Sequence, residues 1–259
     1  MIVLGFDTAT QATAVGLRPA DAATLHTRDD PAQDAHPGHA TRLLPMAADL
    51  LAQAELGWSD VQRIAVGVGP GRFTGLRVGI ATARGLAQSL SAELVGVSSL
   101  RALALGAARD PGAASTATIA VIDARRGEAF AGAYAGEGEI VLPRALRPAE
   151  LAGVVELIER HGATAGQRWR AVGDGAVLYA EELRAGGVEV PEPGSPLHLL
   201  DGAAVCELGE LAAAGHATAG RPERASQTAL AEVLPDYRRS PDAKLARGDR
   251  PPAPGVSRA

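Results

Sequence analysis

AVGVGPGRFTGLRVGIATARGLAQSL, residues 65–90, joins a short apolar run to a helix through a glycine-proline turn. The run 64–68 has the length and composition of a buried strand, and Gly67-Val68-Gly69-Pro70-Gly71 breaks it. Gly67, Gly69 and Gly71 permit positive φ and close backbone approach, and Pro70 stiffens the bend. Thr74 is the expected cap of the next helix, in which Leu76, Ile80, Ala83, Leu86 and Ala87 recur at helical spacing. A strand that passes through a glycine turn into a helix aims backbone N–H groups at an anion. A plain tight strand–helix connection has the same pattern, and glycines alone do not separate the two.

Upstream, residues 2–7 are an apolar run ending in Asp7. The small-residue turn Thr8-Ala9-Thr10-Gln11 and two short strands, 12–18 and 23–27, follow as an antiparallel meander. DDPAQDAHPG (29–38) is a loop by composition, and 39–56 a helix. Strand 63–68, the glycine turn, helix 74–90, strand 93–97 and helix 99–107 complete the order β-β-β-α-β-α-β-α. After the Pro/Gly/Ala/Ser stretch 110–115 that order restarts. TATIAVID (116–123) again ends in aspartate, and placing Asp7 on Asp123 aligns FDTATQATAVGL with IDARRGEAFAGAY. Strands 128–134 and 140–142, helix 148–161, strand 169–172, the turn Gly173-Asp174-Gly175, helix 176–185, strand 188–190 and helix 201–214 fill the second half. Internal duplication explains the shared order. The expected domains are 1–109 and 110–234, with helix 201–214 free to pack back on the first. The polar, Pro-rich segment 235–259 is expected to be a disordered tail.

At 259 residues and 46% hydrophobic, the chain can bury a sizeable core. It has no apolar run long enough to span a bilayer and no secretory leader, so a cytoplasmic location without membrane contact is expected. Lone Cys206 can form neither an internal disulfide nor a cysteine metal site. The net charge is −5, and Lys244 is the one lysine among 25 Lys and Arg. Scattered basic residues on an acidic chain lack the footprint of an independent nucleic-acid binder, so any role near RNA would run through a partner.

A strand-terminal aspartate with a Thr-rich turn can present hydroxyls and N–H groups to a phosphate and hold a carboxylate for a hydrated metal. Asp7, Thr8 and Thr10 fit one such loop, and Asp123 would start a second facing it across a cleft. The plainer alternative is that both aspartates close a hairpin by bonding their own backbone. The glycine turn has no Lys-Ser/Thr after it and the wrong spacing for a dinucleotide fingerprint. His36-Pro37-Gly38-His39 is too broken for a helical ligand pair, so both histidines are expected in a solvated loop. No G-x-S-x-G elbow and no Cys/His pair at a plausible spacing is present. Arg125-Arg126 could face an anion, although exposed arginines this common need no such reason.

GVGPGRFTGLRVGIATARGLA (67–87), with HATRLLP (39–45), LVGVSSLRALA (94–104), LGFDTATQATAVGL (4–17) and IDARRGEAFAGAY (122–134), resembles the TsaB (YeaZ) family. The resemblance is dense over the first 135 residues or so and thin beyond. Arg72 stands where the family usually carries serine. The resemblance implies an α/β fold of actin-like/sugar-kinase (ASKHA) architecture, with two duplicated ribonuclease-H-like domains and mixed sheets flanked by helices. It also implies a non-catalytic paralogue of TsaD, the transferase that forms N6-threonylcarbamoyladenosine beside the tRNA anticodon. TsaD-type sequences carry a His-x-x-x-His metal pair where this chain has Ser99 and Leu103, so Asp7, Thr8, Thr10, Gly67, Gly69, Gly71 and Asp123 would be vestigial nucleotide or phosphate loops. No cofactor or metal is then expected on this subunit, with ATP and a metal on its partners.

The implied partners are a TsaD-like subunit in a heterodimer and a TsaE-like ATPase, with tRNA reached only through the complex. Helices 39–56 and 74–90, each apolar on more than one face, would form the contact through Leu43, Leu44, Ala47, Leu51, Leu76, Ile80 and Ala83; the plainer alternative is that both helices are deeply buried. Such a contact buries roughly 800 Å² per partner, and the same helices would pair as a homodimer when the chain is alone. The rival expectation is an ATP-dependent or peptidase-like enzyme of the same superfamily acting alone through Asp7 and Asp123; a peptidase is disfavoured by the lack of a nucleophile–base pair.

Overall fold

A computed structural model describes residues 1–32, 35–110, 116–135, 138–160, 168–215 and 233–237. The expected boundary at 111–115 and most of the expected tail, 238–259, lie outside the described residues.

The first half lays down β1 (Val3–Asp7), β2 (Thr13–Arg18), β3 (Leu25–Asp29), α1 (His39–Gln53), β4 (Arg63–Gly69), α2 (Phe73–Leu90), β5 (Glu93–Ser98) and α3 (Ser99–Ala108). Its sheet runs β3-β2-β1-β4-β5, with the first three strands antiparallel and β1, β4 and β5 parallel. The second half repeats the scheme: β6 (Thr116–Arg125), β7 (Glu128–Ala135), β8 (Gly138–Leu146), α4 (Pro148–Ala152), α5 (Val154–Arg160), β9 (Arg168–Val172), α6 (Asp174–Leu178), α7 (Ala180–Ala185) and α8 (Gly202–Gly215). Its sheet, β8-β7-β6-β9, has the same order without the fifth strand. The expected strand 188–190 is reduced to one parallel bridge between Glu189 and Arg170.

Two of the helices expected in the second half, 148–161 and 176–185, are each two short ones, while 201–214 forms as the single helix α8. Gly153 divides 148–160, and Tyr179, at φ −111°, divides 174–185. Apolar spacing alone could not reveal these breaks, because both pieces bury the same side.

The layers are α1 and α2, the first sheet, then α3 and α8, the second sheet, and α4 to α7. Leu4, Phe6, Val15, Leu43, Leu50, Ile64, Ile80 and Ala83 pack α1 and α2 on the first sheet. Ile119, Val121, Leu151, Ile158, Trp169 and Leu183 fill the outer core of the second. Between the sheets lies a shared core in which Leu100 and Leu103 of α3 meet Ile122, Phe130 and Val172. Helix α8, from the second half, lies on β1, β2 and β4 of the first sheet. It comes close because Gly202 rests on the Val15–Gly16 backbone, where a Cβ would overlap main chain. Among the described residues, no helix is long and apolar enough to cross a membrane.

Candidate functional site

The glycine turn closes on the end of β1. Asp7 is 1% exposed. Its Oδ1 accepts from Ala9 N at 2.6 Å and its Oδ2 from Ser99 Oγ at 2.6 Å, and Ser99 Oγ accepts from Gly69 N at 3.2 Å. Gly67 lies flat against the carboxylate, where a Cβ would overlap Oδ2. Burial pushes the Asp7 carboxyl above its ordinary range, and the Ser99 and Ala9 hydrogen bonds draw it part of the way back. Thr8, also buried, donates from Oγ1 to Gly75 O at 2.8 Å, and Arg72 N donates to Ala9 O at 2.7 Å. The turn therefore cradles residues 7–9 of its own chain.

Asp7, Thr8, Gly67, Gly69, Gly71 and Ser99 meet in this buried knot, whereas Thr10 and Asp123 stand outside it. Thr10 lines a cleft of about 280 Å³ between the halves, with Gln11, Asp174 and His198. The expected second loop does not form. Strand β6 continues through Asp123 to Arg125, which pairs with Glu128 across the two-residue turn Arg126-Gly127. Both turn residues have positive φ, as a type I′ turn requires. Asp7 and Asp123 thus do not face one another across a cleft, and each closes its own turn: Asp123 Oδ1 accepts from Arg125 N at 2.7 Å. Half-burial raises the Asp123 carboxyl as well.

Leu103 lies in the core between the sheets, beside Gly173. Among the described residues, no three His, Cys, Asp or Glu side chains are placed to hold a metal ion.

Three further expectations need correction. Thr74 does not cap α2, which starts at Phe73 after an extended Arg72 with no side-chain cap. His39 is not solvated: it opens α1 at 5% exposure, with Nδ1 2.9 Å from Thr13 Oγ1. Burial holds its imidazole below the ordinary pKa. Leu43, Ala47, Leu51, Leu76, Ile80 and Ala83 are buried within their own domain, so they offer no surface to a partner. Of the seven side chains expected there, Leu44 alone faces solvent, at 43% exposure. The outward faces of α1 and α2 carry Thr41, Leu44, Pro45, Asp49 and Ala52, and Thr74, Arg77, Ala81, Gly85 and Gln88, with Arg42 and Gln53 also exposed on α1.

The N-terminal ends of α1 and α2, the β6–β7 turn and the segment 233–237 enclose a cavity of about 1180 Å³. Its lining includes His39, Arg72, Phe73, Asp123, Arg125, Arg126 and Tyr237. The returning segment docks on the end of β4 through Asp236 N to Val68 O at 2.8 Å and on α2 through Arg84 Nη2 to Val233 O at 2.6 Å. So residues 235–237 of the expected tail are placed against the first domain. His39, Arg72 and Tyr237 are far apart in sequence and share no local signal that would group them.

Residues 31–159, about half of the chain, match the family described as TsaD, tRNA N6-adenosine threonylcarbamoyltransferase. The tRNA threonylcarbamoyladenosine biosynthesis protein TsaB of Escherichia coli K12 is 40% identical over 134 residues, 52% of this chain and 55% of that protein. The protein of the same name from Haemophilus influenzae is 36% identical over 130 residues, 50% of this chain and 52% of that one. The chain thus spans about half the length of these curated relatives. The solved structure of YeaZ from Pseudomonas aeruginosa superposes with a TM-score of 0.72 at 29% identity, covering 91% of this chain and 99% of that one. With the paired sheets and the glycine turn closed on Asp7, these likenesses place the chain in the TsaB (YeaZ) family.

Proposed function

We propose that this chain is a non-catalytic subunit in the biosynthesis of tRNA N6-threonylcarbamoyladenosine, and that it binds and activates a TsaD-like transferase in the cytoplasm. The observation that carries this reading is the knot around Asp7. Ser99 and Leu103, at the positions of the metal-binding histidine pair that the resemblance implies, are both consumed internally, one by the Asp7 carboxylate and one by the core. Neither of these two positions supplies an imidazole with which to organise a metal-bound substrate. ATP and the metal then belong to the partner subunits, including a TsaE-like ATPase, and tRNA is met only through the assembled complex.

The outward stripes of α1 and α2 are the surface this reading assigns to the partner. They mix small and apolar residues, among them Leu44, Ala52, Ala81 and Gly85, with the polar Arg42, Asp49, Arg77 and Gln88. In the absence of the partner the same stripes would pair two copies of the chain. Reconstitution tests the function directly: tRNA modification is assayed with and without this chain, the other subunits being held constant. Unchanged modification without the chain would refute the proposal. At the surface, Leu44→Asp should abolish co-elution with the transferase while leaving the melting temperature unchanged; retained co-elution would move the interface elsewhere.

A further inference from the structure

The segment 233–237 lies against α2 as a strap. Val233 O accepts from Arg84, beyond the middle of the helix, and Tyr237 reaches Phe73 at its first position. The chain therefore runs antiparallel to α2. On the way Asp236 N bonds Val68 O, and Val233 packs against the first core beside Gly96 of β5, where a Cβ would come within 3.3 Å of it. The strap thus fills the groove between α2 and the β4–β5 side of the sheet, and it widens the surface that α1 and α2 present.

The outer side of the strap is apolar and exposed. Leu234 is 63% exposed and Tyr237 49%, beside Phe73 at 53%. With Leu44 of α1 these side chains gather on one side of the first sheet, whereas the exposed Leu178 and Leu211 stand apart on α6 and α8. Tyr237 stacks on Phe73 with ring centroids 5.3 Å apart, and Arg77 lies over the same ring, 3.8 Å from its centroid. Arg77 Nε also donates to Tyr237 Oη at 3.1 Å. Each member holds the other two, so the cluster is ordered before any partner arrives. Tyr and Arg anchors of this kind carry much of the binding energy of protein interfaces, and ordering them in advance lowers the cost of association.

Charge selects the occupant. Helix α2 carries Arg77 and Arg84 and no acidic residue. A second copy, set α2 to α2 across a two-fold axis, would bring these like charges together, whereas a different chain can offer carboxylates. Size points the same way: a stable contact of roughly 800 Å² per partner centres on large anchors, and beyond Leu44 and Phe73 the helix faces offer small or polar side chains. We propose that the strap 233–237 is the third element of the face that receives the TsaD-like transferase, with Leu234 and Tyr237 entering the transferase's apolar surface and Arg77 meeting one of its carboxylates. This rests on the assignment of the α1 and α2 faces to that subunit.

Calorimetric titration of the full chain with the transferase tests the proposal, with Leu44→Asp as the reference for the helix surface. Leu234→Asp, at an exposed position, should weaken association about tenfold or more and leave the melting temperature unchanged. Tyr237→Ala should weaken it similarly, and Tyr237→Phe, which keeps the stack, should recover most of the loss. Arg77→Gln should weaken association and flatten its dependence on salt. Parent-like affinity in both Leu234→Asp and Tyr237→Ala would overturn the proposal. If Leu44→Asp still abolished association in that case, the helix surface would stand without the strap; if it did not, both assignments would fall. Sedimentation of the chain alone covers the other occupant: Leu234→Asp that breaks self-association while transferase affinity stays intact would overturn the proposal in favour of a second copy.

Discussion

Ser99→Ala puts the Asp7 knot to the test. The hydroxyl donates to a buried carboxylate at 2.6 Å and accepts from Gly69 N at 3.2 Å, so alanine strands a charge and an amide at once. A hydrogen bond to a charged group contributes about 1.5–3 kcal/mol, and an orphaned buried amide costs about 1–3 kcal/mol; with partial relaxation, about 3 kcal/mol of stability should be lost at neutral pH. The pH dependence identifies the cause. The folded pKa of Asp7 lies above the ordinary 3.8, so between those two values the folded chain holds more protons than the unfolded one, and stability falls as pH rises. Above the folded pKa both states are ionised and the penalty levels off. Ser99 lowers that folded pKa, so Ser99→Ala raises it and extends the falling window upward. Urea unfolding at about pH 4 and about pH 7.5 should show the smaller loss at the lower pH, on the side where Asp7 gains its proton, and up to about 3 kcal/mol at the higher. Equal losses at the two pH values, or less than about 1 kcal/mol at pH 7.5, would refute the account of the knot.

Gly75→Ala should prevent stable folding, because its Cβ would overlap Thr8 O, main chain that cannot give way; soluble yield and thermal melting report it. Ile80→Asp should also unfold the chain, since Ile80 packs in the core of the first half, and a cooperative melt like that of the parent would contradict its placement. Cys206, its thiol pushed up to about 12 by burial, should resist alkylation in the folded protein and react only in denaturant, as mass spectrometry would record. A double-mutant cycle of Phe73→Ala and Tyr237→Ala in thermal denaturation should give a coupling of about 0.5–1.5 kcal/mol; zero coupling would mean the 233–237 segment does not dock through its ring.

The duplicated α/β fold was legible because its signals are local and repeated. Two apolar runs end in aspartate at matched places, and the glycine turn launches α2 at nearly the expected residue. What escaped was orientation. The widest apolar stripes of α1 and α2 mark the side that meets the sheet, so Leu43, Leu76 and Ile80 read as surface when they are core. The outward stripes include Thr41, Ala52, Ala81 and Gly85, whose small side chains register weakly on any hydropathy pattern. His39 escaped because its neighbours Pro37 and Gly38 spell a loop, although α1 starts at the histidine itself. The large cavity escaped for a further reason. His39, Arg72, Arg125 and Tyr237 are far apart in sequence and meet only once the halves close on each other.

The knot also explains why an acidic group sits in the interior at a cost. An ionised carboxylate without a cationic partner at hydrogen-bond distance is a poor stabiliser, and a well-packed apolar replacement could be more stable. Its contribution is positional. Asp7 belongs to β1, Gly67 and Gly69 to β4 and Ser99 to α3, so one carboxylate fixes three elements while Thr8 ties the same turn to α2 through Gly75. Helix α2 therefore leaves the sheet at a fixed point. That point sets where Phe73 meets Tyr237 and which stripe of α2 faces outward. A loosened knot would shift the outward stripe and the seat of the 233–237 segment together, even though Asp7 touches neither.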